Sequence, residues 1–148
     1  MRPFTVLIAD DSPDDRFTLR RVIGRLPQFK LIGEVEDGTE VIAYLEGTAA
    51  FMDRKKYPMP HLLLLDLKMP RFDGFDVLKW LRSKPMRDLT VVVLSGSSLA
   101  TDVEASLALG AHGYWTKTSD ARKHNLIAEE IATLLDKRHA SQFSQTFA

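Results

Sequence analysis

Short apolar runs alternate with stretches of helical spacing along the chain. Phe4-Thr5-Val6-Leu7-Ile8-Ala9 and His61-Leu62-Leu63-Leu64-Leu65 are almost wholly apolar; Lys30 to Val35, Thr90 to Leu94 and His112 to Thr116 complete a set of five strand-like runs. A short run with no polar face belongs in a strand covered on both sides of a parallel sheet. The intervening stretches carry helix signals. Ser12-Pro13-Asp14-Asp15 supplies a cap, a proline suited to the first helical position and two acids for the positive end of the dipole. Phe17, Val22, Ile23 and Leu26 then follow a broadly helical spacing until Pro27. Asp37-Gly38 turns into a second helix with an inward stripe of Val41, Ile42 and Leu45 and a stop at Gly47. Asp73 caps a third helix carrying Phe75, Val77, Leu78 and Leu81. A fourth spans about Leu99 to Leu109 and stops at Gly110, and a fifth carries Leu126, Ile127, Ile131, Leu134 and Leu135. This alternation predicts an α/β fold around a parallel sheet.

Between the second helix and the third strand, residues 48–60 form a long connection with a basic patch, Arg54-Lys55-Lys56, expected to be solvated. After Lys137 the periodicity fades, so residues 1–138 are read as one domain and 139–148 as a mobile tail.

Candidate chemistry gathers where strands end. The first run leads into Asp10-Asp11, the third into Asp66, the fourth into Ser95 and the fifth into Lys117. If the first and third strands are neighbours, three carboxylates meet in one crevice, where like charges demand a cation or raised pKa values. The C-terminal edge of an α/β sheet is the usual ligand site, and a carboxylate nest there suits magnesium and a phosphoryl group. A hydroxyl and an ammonium beside it complete a set fitted to phosphoryl transfer onto an aspartate. Bland readings stand next to these: Ser95 as a turn cap and Tyr114 as a half-buried aromatic on a short strand. His61, His112, His124 and His139 have no ligand spacing and are not read as catalytic.

Four segments in order, Asp10-Asp11, Asp66-Leu67-Lys68-Met69-Pro70-Arg71-Phe72-Asp73-Gly74, Val93-Leu94-Ser95-Gly96 and Gly110-Ala111-His112-Gly113-Tyr114-Trp115-Thr116-Lys117, resemble the receiver domain of two-component response regulators over about residues 4 to 137. The resemblance implies a flavodoxin-like, doubly wound sheet of five parallel strands, order 2-1-3-4-5, with five helices. It implies that Asp66 accepts phosphate from a sensor histidine kinase or exchanges it with a histidine phosphotransfer protein. Asp11 and Asp66 are then expected to bind Mg2+, with the Lys68 backbone carbonyl as a third ligand and Asp10 assisting through water. Ser95 and Lys117 are expected to contact the phosphoryl group, and Tyr114 to shift inward as the aromatic switch. The face formed by the fourth helix, fifth strand and fifth helix is expected to bind a partner or a second copy. The sequence departs from the family in two places. Thr118 replaces the usual proline after Lys117, which favours a trans bond there. The connection before the third strand is also long, as in stand-alone receivers found near phytochrome-type and other hybrid kinases.

Composition narrows the partners. The chain has 148 residues, 45% of them hydrophobic, with Lys plus Arg equal to Asp plus Glu at 20 each. That balance gives no global field toward nucleic acid or an anionic membrane. With no cysteine there is no disulfide frame and no thiolate chemistry. No run approaches the roughly 20 residues of a membrane span, and a strand starting at Phe4 leaves no room for a signal peptide. A cytoplasmic signalling module, not an enzyme acting on a separate substrate, is therefore expected. A haloacid-dehalogenase-type phosphatase is the enzyme alternative, but it needs a second acid where Lys68 stands. A flavin- or nucleotide-binding domain is the other, but it needs a glycine-rich loop where Asp10-Asp11-Ser12-Pro13 stands.

Overall fold

Period-two alternation along three buried strands builds two cores at once. In the computed structural model, which describes the backbone of residues 2–147 and side chains through residue 140, five parallel strands run in the order β2-β1-β3-β4-β5. They are β1 Phe4–Ala9, β2 Phe29–Val35, β3 Leu62–Leu65, β4 Thr90–Ser95 and β5 Gly113–Thr116. Leu7, Ala9, Leu63, Leu65, Val91 and Val93 face α2 (Gly38–Glu46) and α3 (Gly74–Ser83), meeting Val41, Tyr44, Leu45, Val77 and Leu78. Their alternates Val6, Ile8, Leu62, Leu64 and Val92 face α1 (Pro13–Gly24) and α5 (Ala121–Phe147), meeting Val22, Ile23, Ala128, Ile131 and Leu135. Each fully buried leucine of this kind contributes about 1.5–3 kcal/mol. The doubly wound fold read from the sequence is thus the one observed.

The helix starts follow the capping chemistry. The Ser12 side chain accepts the Asp15 N–H at 3.2 Å, and Asp37 accepts that of Glu40 at 2.9 Å. Asp73 and Asp76 form a reciprocal capping box. α2 stops on Gly47 at φ +70°, the left-handed conformation that glycine adopts without penalty. By contrast α4 (Ala100–Ala108) is weakly held: its one buried residue is Ser106, and Leu107 stands 45% exposed.

Four details differ from the sequence reading. Phe17 and Leu126 are exposed rather than inward, because the apolar stripes of α1 and α5 are narrow, and the Arg21 guanidinium lies over the Phe17 ring. Tyr44, outside the expected stripe of α2, is fully buried and donates its hydroxyl to the Pro58 carbonyl. Arg54 is not a solvated loop cation. It folds back to donate to the Tyr44 and Leu45 carbonyls, both at 2.7 Å, and so caps the C-terminal end of α2. Finally, the backbone of α5 stays helical to Phe147, since no glycine or proline interrupts it, and the His139 ring lies 5.0 Å from that of Phe4. The expected mobility of the tail falls largely on residues 141–148, whose side chains lie outside the described residues.

Candidate functional site: an acid cluster around one lysine

Strand register brings the acids together. Ala9 pairs with Leu65, so the residues that follow, Asp10 and Asp66, leave the sheet side by side; the Asp66 N–H donates to the Ala9 carbonyl at 2.9 Å. Carboxylate oxygens of Asp10, Asp11 and Asp66 lie within 4.8 Å of one another. Asp10 is 1% exposed and Asp66 7%, while Asp11 opens to solvent. The backbone at Asp66 is packed as closely as backbone permits. A Cβ at Gly74 would stand 2.3 Å from the Asp66 carbonyl oxygen, so only glycine fits at the start of α3.

Lys117 reaches this cluster from the end of β5, where its N–H donates to the Ser95 carbonyl at 2.7 Å. Its Nζ sits 2.7 Å from Asp10 Oδ2, 2.7 Å from Asp15 Oδ2 and 3.2 Å from Asp66 Oδ2. One ammonium therefore serves three carboxylates, with Asp11 a fourth nearby. Burial alone would lower the Lys117 pKa, but its bonds to Asp10 and Asp15 and the Asp66 charge raise it above the ordinary lysine value. Burial raises the Asp66 pKa; the ammonium opposes this and Asp10 adds to it. The lysine is firmly charged, yet one ammonium leaves Asp66 short of counter-charge. The described peptide bonds are all trans, Lys117–Thr118 included. Thr118 serves the loop through its hydroxyl, which accepts the Asp120 N–H, and its carbonyl, which lies 2.6 Å from His124 Nε2.

The remaining expected residues sit around this centre. Ser95 is buried at the end of β4, with Oγ accepting the Ser97 N–H at 3.3 Å, so its side chain caps the turn. Tyr114 is half-buried, and its hydroxyl donates to the Ser97 carbonyl at 2.6 Å. The ring is thus already turned over the loop between β4 and α4. The Lys68 side chain is exposed, and its N–H lies 3.5 Å from Asp66 Oδ1.

Sequence reasoning missed three participants. Asp15 reads as a helix-dipole acid, yet across 102 residues it pairs with Lys117. Arg16 donates to the Asp10 carbonyl at 2.7 Å and pairs with Glu34 and Glu36, fastening α1 over the ends of β1 and β2. Arg71 pairs with the buried Asp37. Only Asp15 left a signal: as third residue of a capped helix it points back toward the strand end.

The donor set fits a hard divalent cation. Every group is an oxygen, the formal charge is strongly negative, and one acid is open to water.

The chain belongs to the response regulator receiver domain family, which it matches over residues 6–136. It is 35% identical over 115 residues to the nitrate/nitrite response regulator NarL of Escherichia coli K12, covering 78% of this chain but only 48% of NarL. It therefore spans about half the length of that relative. To the response regulator Rcp1 of Synechocystis it is 30% identical over 121 residues, covering 81% of this chain and 80% of Rcp1. The solved Mn(2+)-bound form of Rcp1 superposes with a TM-score of 0.74 over 87% of this chain and 91% of that one. RPA3017, a response regulator in red light signalling of R. palustris, is 33% identical with a TM-score of 0.74, covering 90% and 91%. The chain is thus a receiver domain of two-component signalling, and its acid pocket is of the kind that takes a divalent cation.

Proposed function

We propose that Asp66 is the phosphoacceptor of this chain, charged by a sensor histidine kinase or a histidine phosphotransfer protein in the presence of Mg2+. The observation that carries this reading is the shared geometry of Asp10, Asp11, Asp66 and Lys117. Asp11, Asp66 and the Lys68 carbonyl would hold the ion, with Asp10 assisting through water. A bound divalent cation supplies positive charge to the phosphoryl oxygens. An Asp66 carboxylate oxygen attacks phosphorus, an acyl phosphate bond forms, and the bond from phosphorus to the donor nitrogen breaks with its electron pair leaving on the imidazole. Lys117 follows the charge from the Asp66 carboxylate onto the phosphoryl oxygens, and Ser95 donates its hydroxyl to one of them.

That contact would draw on the Ser95–Ser97 turn, to which the Tyr114 hydroxyl is tied. The consequence reaches α4, the least buried helix, where Leu99 and Leu107 stand exposed. Binding of a partner or a second copy through α4, β5 and α5 is the output this supports. The likeness to RPA3017, a response regulator in red light signalling, supports a kinase of the photoreceptor type as donor. The charge balance supports a protein partner over nucleic acid. Among the described residues no helix is long and apolar enough to cross a membrane, which supports action without membrane insertion. We place it in the cytoplasm and assign it no activity beyond its own phosphorylation and dephosphorylation.

Incubation with acetyl phosphate and Mg2+ tests the assignment by intact-mass spectrometry. One base-labile phosphoryl group is expected, absent without the metal and absent from Asp66→Asn. Undiminished labelling of that variant would remove Asp66 from the role.

A further inference from the structure

The loop from Asp66 to α3 is fastened in two halves. Leu67 and Met69 anchor the inner half in the core, 3% and 8% exposed. The outer half rests on the start of α2. The Gly38 N–H donates to the Phe72 carbonyl at 2.8 Å, and a Cβ at Gly38 would come 2.5 Å from that oxygen. Beside this contact, Arg71 Nε lies 2.9 Å from Asp37 Oδ2, and a terminal guanidinium nitrogen bonds the same oxygen. Asp37 is 3% exposed and also caps α2, whereas Arg71 is largely exposed. The backbone at Arg71 is unusual. Its φ is +65°, and the Phe72 N–H closes onto the Pro70 carbonyl at 2.7 Å, a γ-turn of the rare, strained hand. Glycine would adopt that conformation freely. An arginine here needs a second reason, and the buried carboxylate it reaches supplies one.

We infer that Arg71 is a positioning residue for the metal pocket: by clamping Asp37 it holds the loop in the shape that offers the Lys68 carbonyl and the Asp66 carboxylate to a divalent cation. This rests on reading the acid cluster as a cation site. Groups that orient metal ligands from the outside commonly govern affinity by tenfold or more. The clamp acts across the β2–β1 edge as well, because Asp37 stands two residues after Val35, whose carbonyl accepts the Asp10 N–H at 3.0 Å. One ion pair thus ties together the loops behind Asp10 and Asp66.

Titration of the full chain with Mn2+, followed by the electron paramagnetic resonance signal of the free ion, tests the inference without any phosphoryl donor. Arg71→Gly removes the guanidinium while relieving the backbone. Asp37→Asn removes the charge while leaving a good helix cap. Both should bind Mn2+ about tenfold more weakly, the double variant no more weakly than either, and Arg71→Lys close to wild type. Urea unfolding should show Arg71→Gly fully folded under the titration conditions, which separates loss of position from loss of fold. Mn2+ affinity within twofold of wild type in Arg71→Gly or Asp37→Asn would overturn the clamp and leave the phosphoacceptor reading intact. A wild-type chain that bound no Mn2+ would overturn both.

Discussion

At the N-terminal edge of the sheet His61 and His112 each extend a strand pair, whereas at the C-terminal edge Asp10 and Asp66 break one off into a crevice. His61 N donates to the Thr5 carbonyl while its Nδ1 accepts the Thr5 N–H at 2.9 Å; His112 does the same with Val91, also at 2.9 Å. Each ring stands in for a backbone carbonyl at the start of β3 or β5. Burial lowers the pKa of both rings, aided by His139 at His61 and by the Arg138 cation at His112. Both are therefore neutral acceptors. Arg138 finishes this edge by donating to Thr90 Oγ1 at 2.7 Å and to the Leu89 carbonyl. At the opposite edge the polar groups carry one sign of charge in excess, and the fold supplies a single ammonium. Folding satisfies the first edge by itself and leaves the second to be completed by a ligand.

The largest effect that separates the two edges is metal linkage. Mg2+ at a hundred times its dissociation constant should stabilise the wild-type chain by about 2.7 kcal/mol, because the unfolded chain has no assembled site. Asp11→Ala should lose most of that gain, whereas a change at His112 should keep it. Urea unfolding with and without Mg2+ measures both. A midpoint that ignored Mg2+ in the wild-type chain would mean that the acid edge is closed in its own right.

The same contrast explains what the sequence disclosed. The sheet order is implied by the resemblance to receiver domains alone, whereas strand positions and the placing of Asp10, Asp11, Asp66, Ser95 and Lys117 at strand ends follow from local apolar runs and from what terminates them. They are legible because each depends on residues adjacent in the chain. The Asp15–Lys117 and Arg71–Asp37 pairs and the Arg54 cap on α2 each rest on a long cationic side chain crossing between elements, and no spacing encodes where such a side chain lands. His61 and His112 carry no ligand spacing in the sequence, and their part as backbone surrogates depends on a neighbour strand more than 20 residues away. The helical extension of α5 is not legible in the sequence, because fading amphipathicity marks the end of a buried face rather than of the helix itself. A helix already formed needs a breaker to stop it, and Ser141 to Phe147 contains none.

A smaller effect tests the neutral edge. The His112 pKa is pushed down to about 4, while in the unfolded chain it lies near 6.5. Between these values the unfolded chain binds the proton more readily. The contribution of His112 is therefore complete above pH 6.5 and is lost as pH falls toward 4. Allowing for solvent screening at a half-buried ring, the loss is about 1–2 kcal/mol. His112→Ala should be less stable than wild type at pH 7 by about that amount, since the Val91 N–H loses its acceptor. The gap should narrow as pH falls to 4. Parallel stability curves for the two proteins would show that the ring is not the neutral acceptor described.

The smallest effect lies at Asp15, where the two edges differ only in degree. Its side chain is 44% exposed, so its pair with Lys117 is screened by water on one side. Such a pair is worth about 0–1 kcal/mol, and Lys117 retains Asp10 and Asp66 when Asp15 is neutralised. Asp15→Asn should therefore leave stability within about 1 kcal/mol of wild type. Its kinetic effect should have the opposite sign. The Asp15 carboxylate competes with phosphoryl oxygens for the ammonium and adds repulsion at the mouth of the pocket. Labelling by acetyl phosphate should accelerate by about twofold to fivefold at low salt, the rate equivalent of that same energy. The gain should shrink as ionic strength rises, because the Debye length falls to about 8 Å at physiological salt. A slower reaction in Asp15→Asn, unchanged by salt, would show instead that Asp15 aims Lys117 at the phosphoryl group. The fourth acid would then belong to the machinery of the edge rather than to its excess charge.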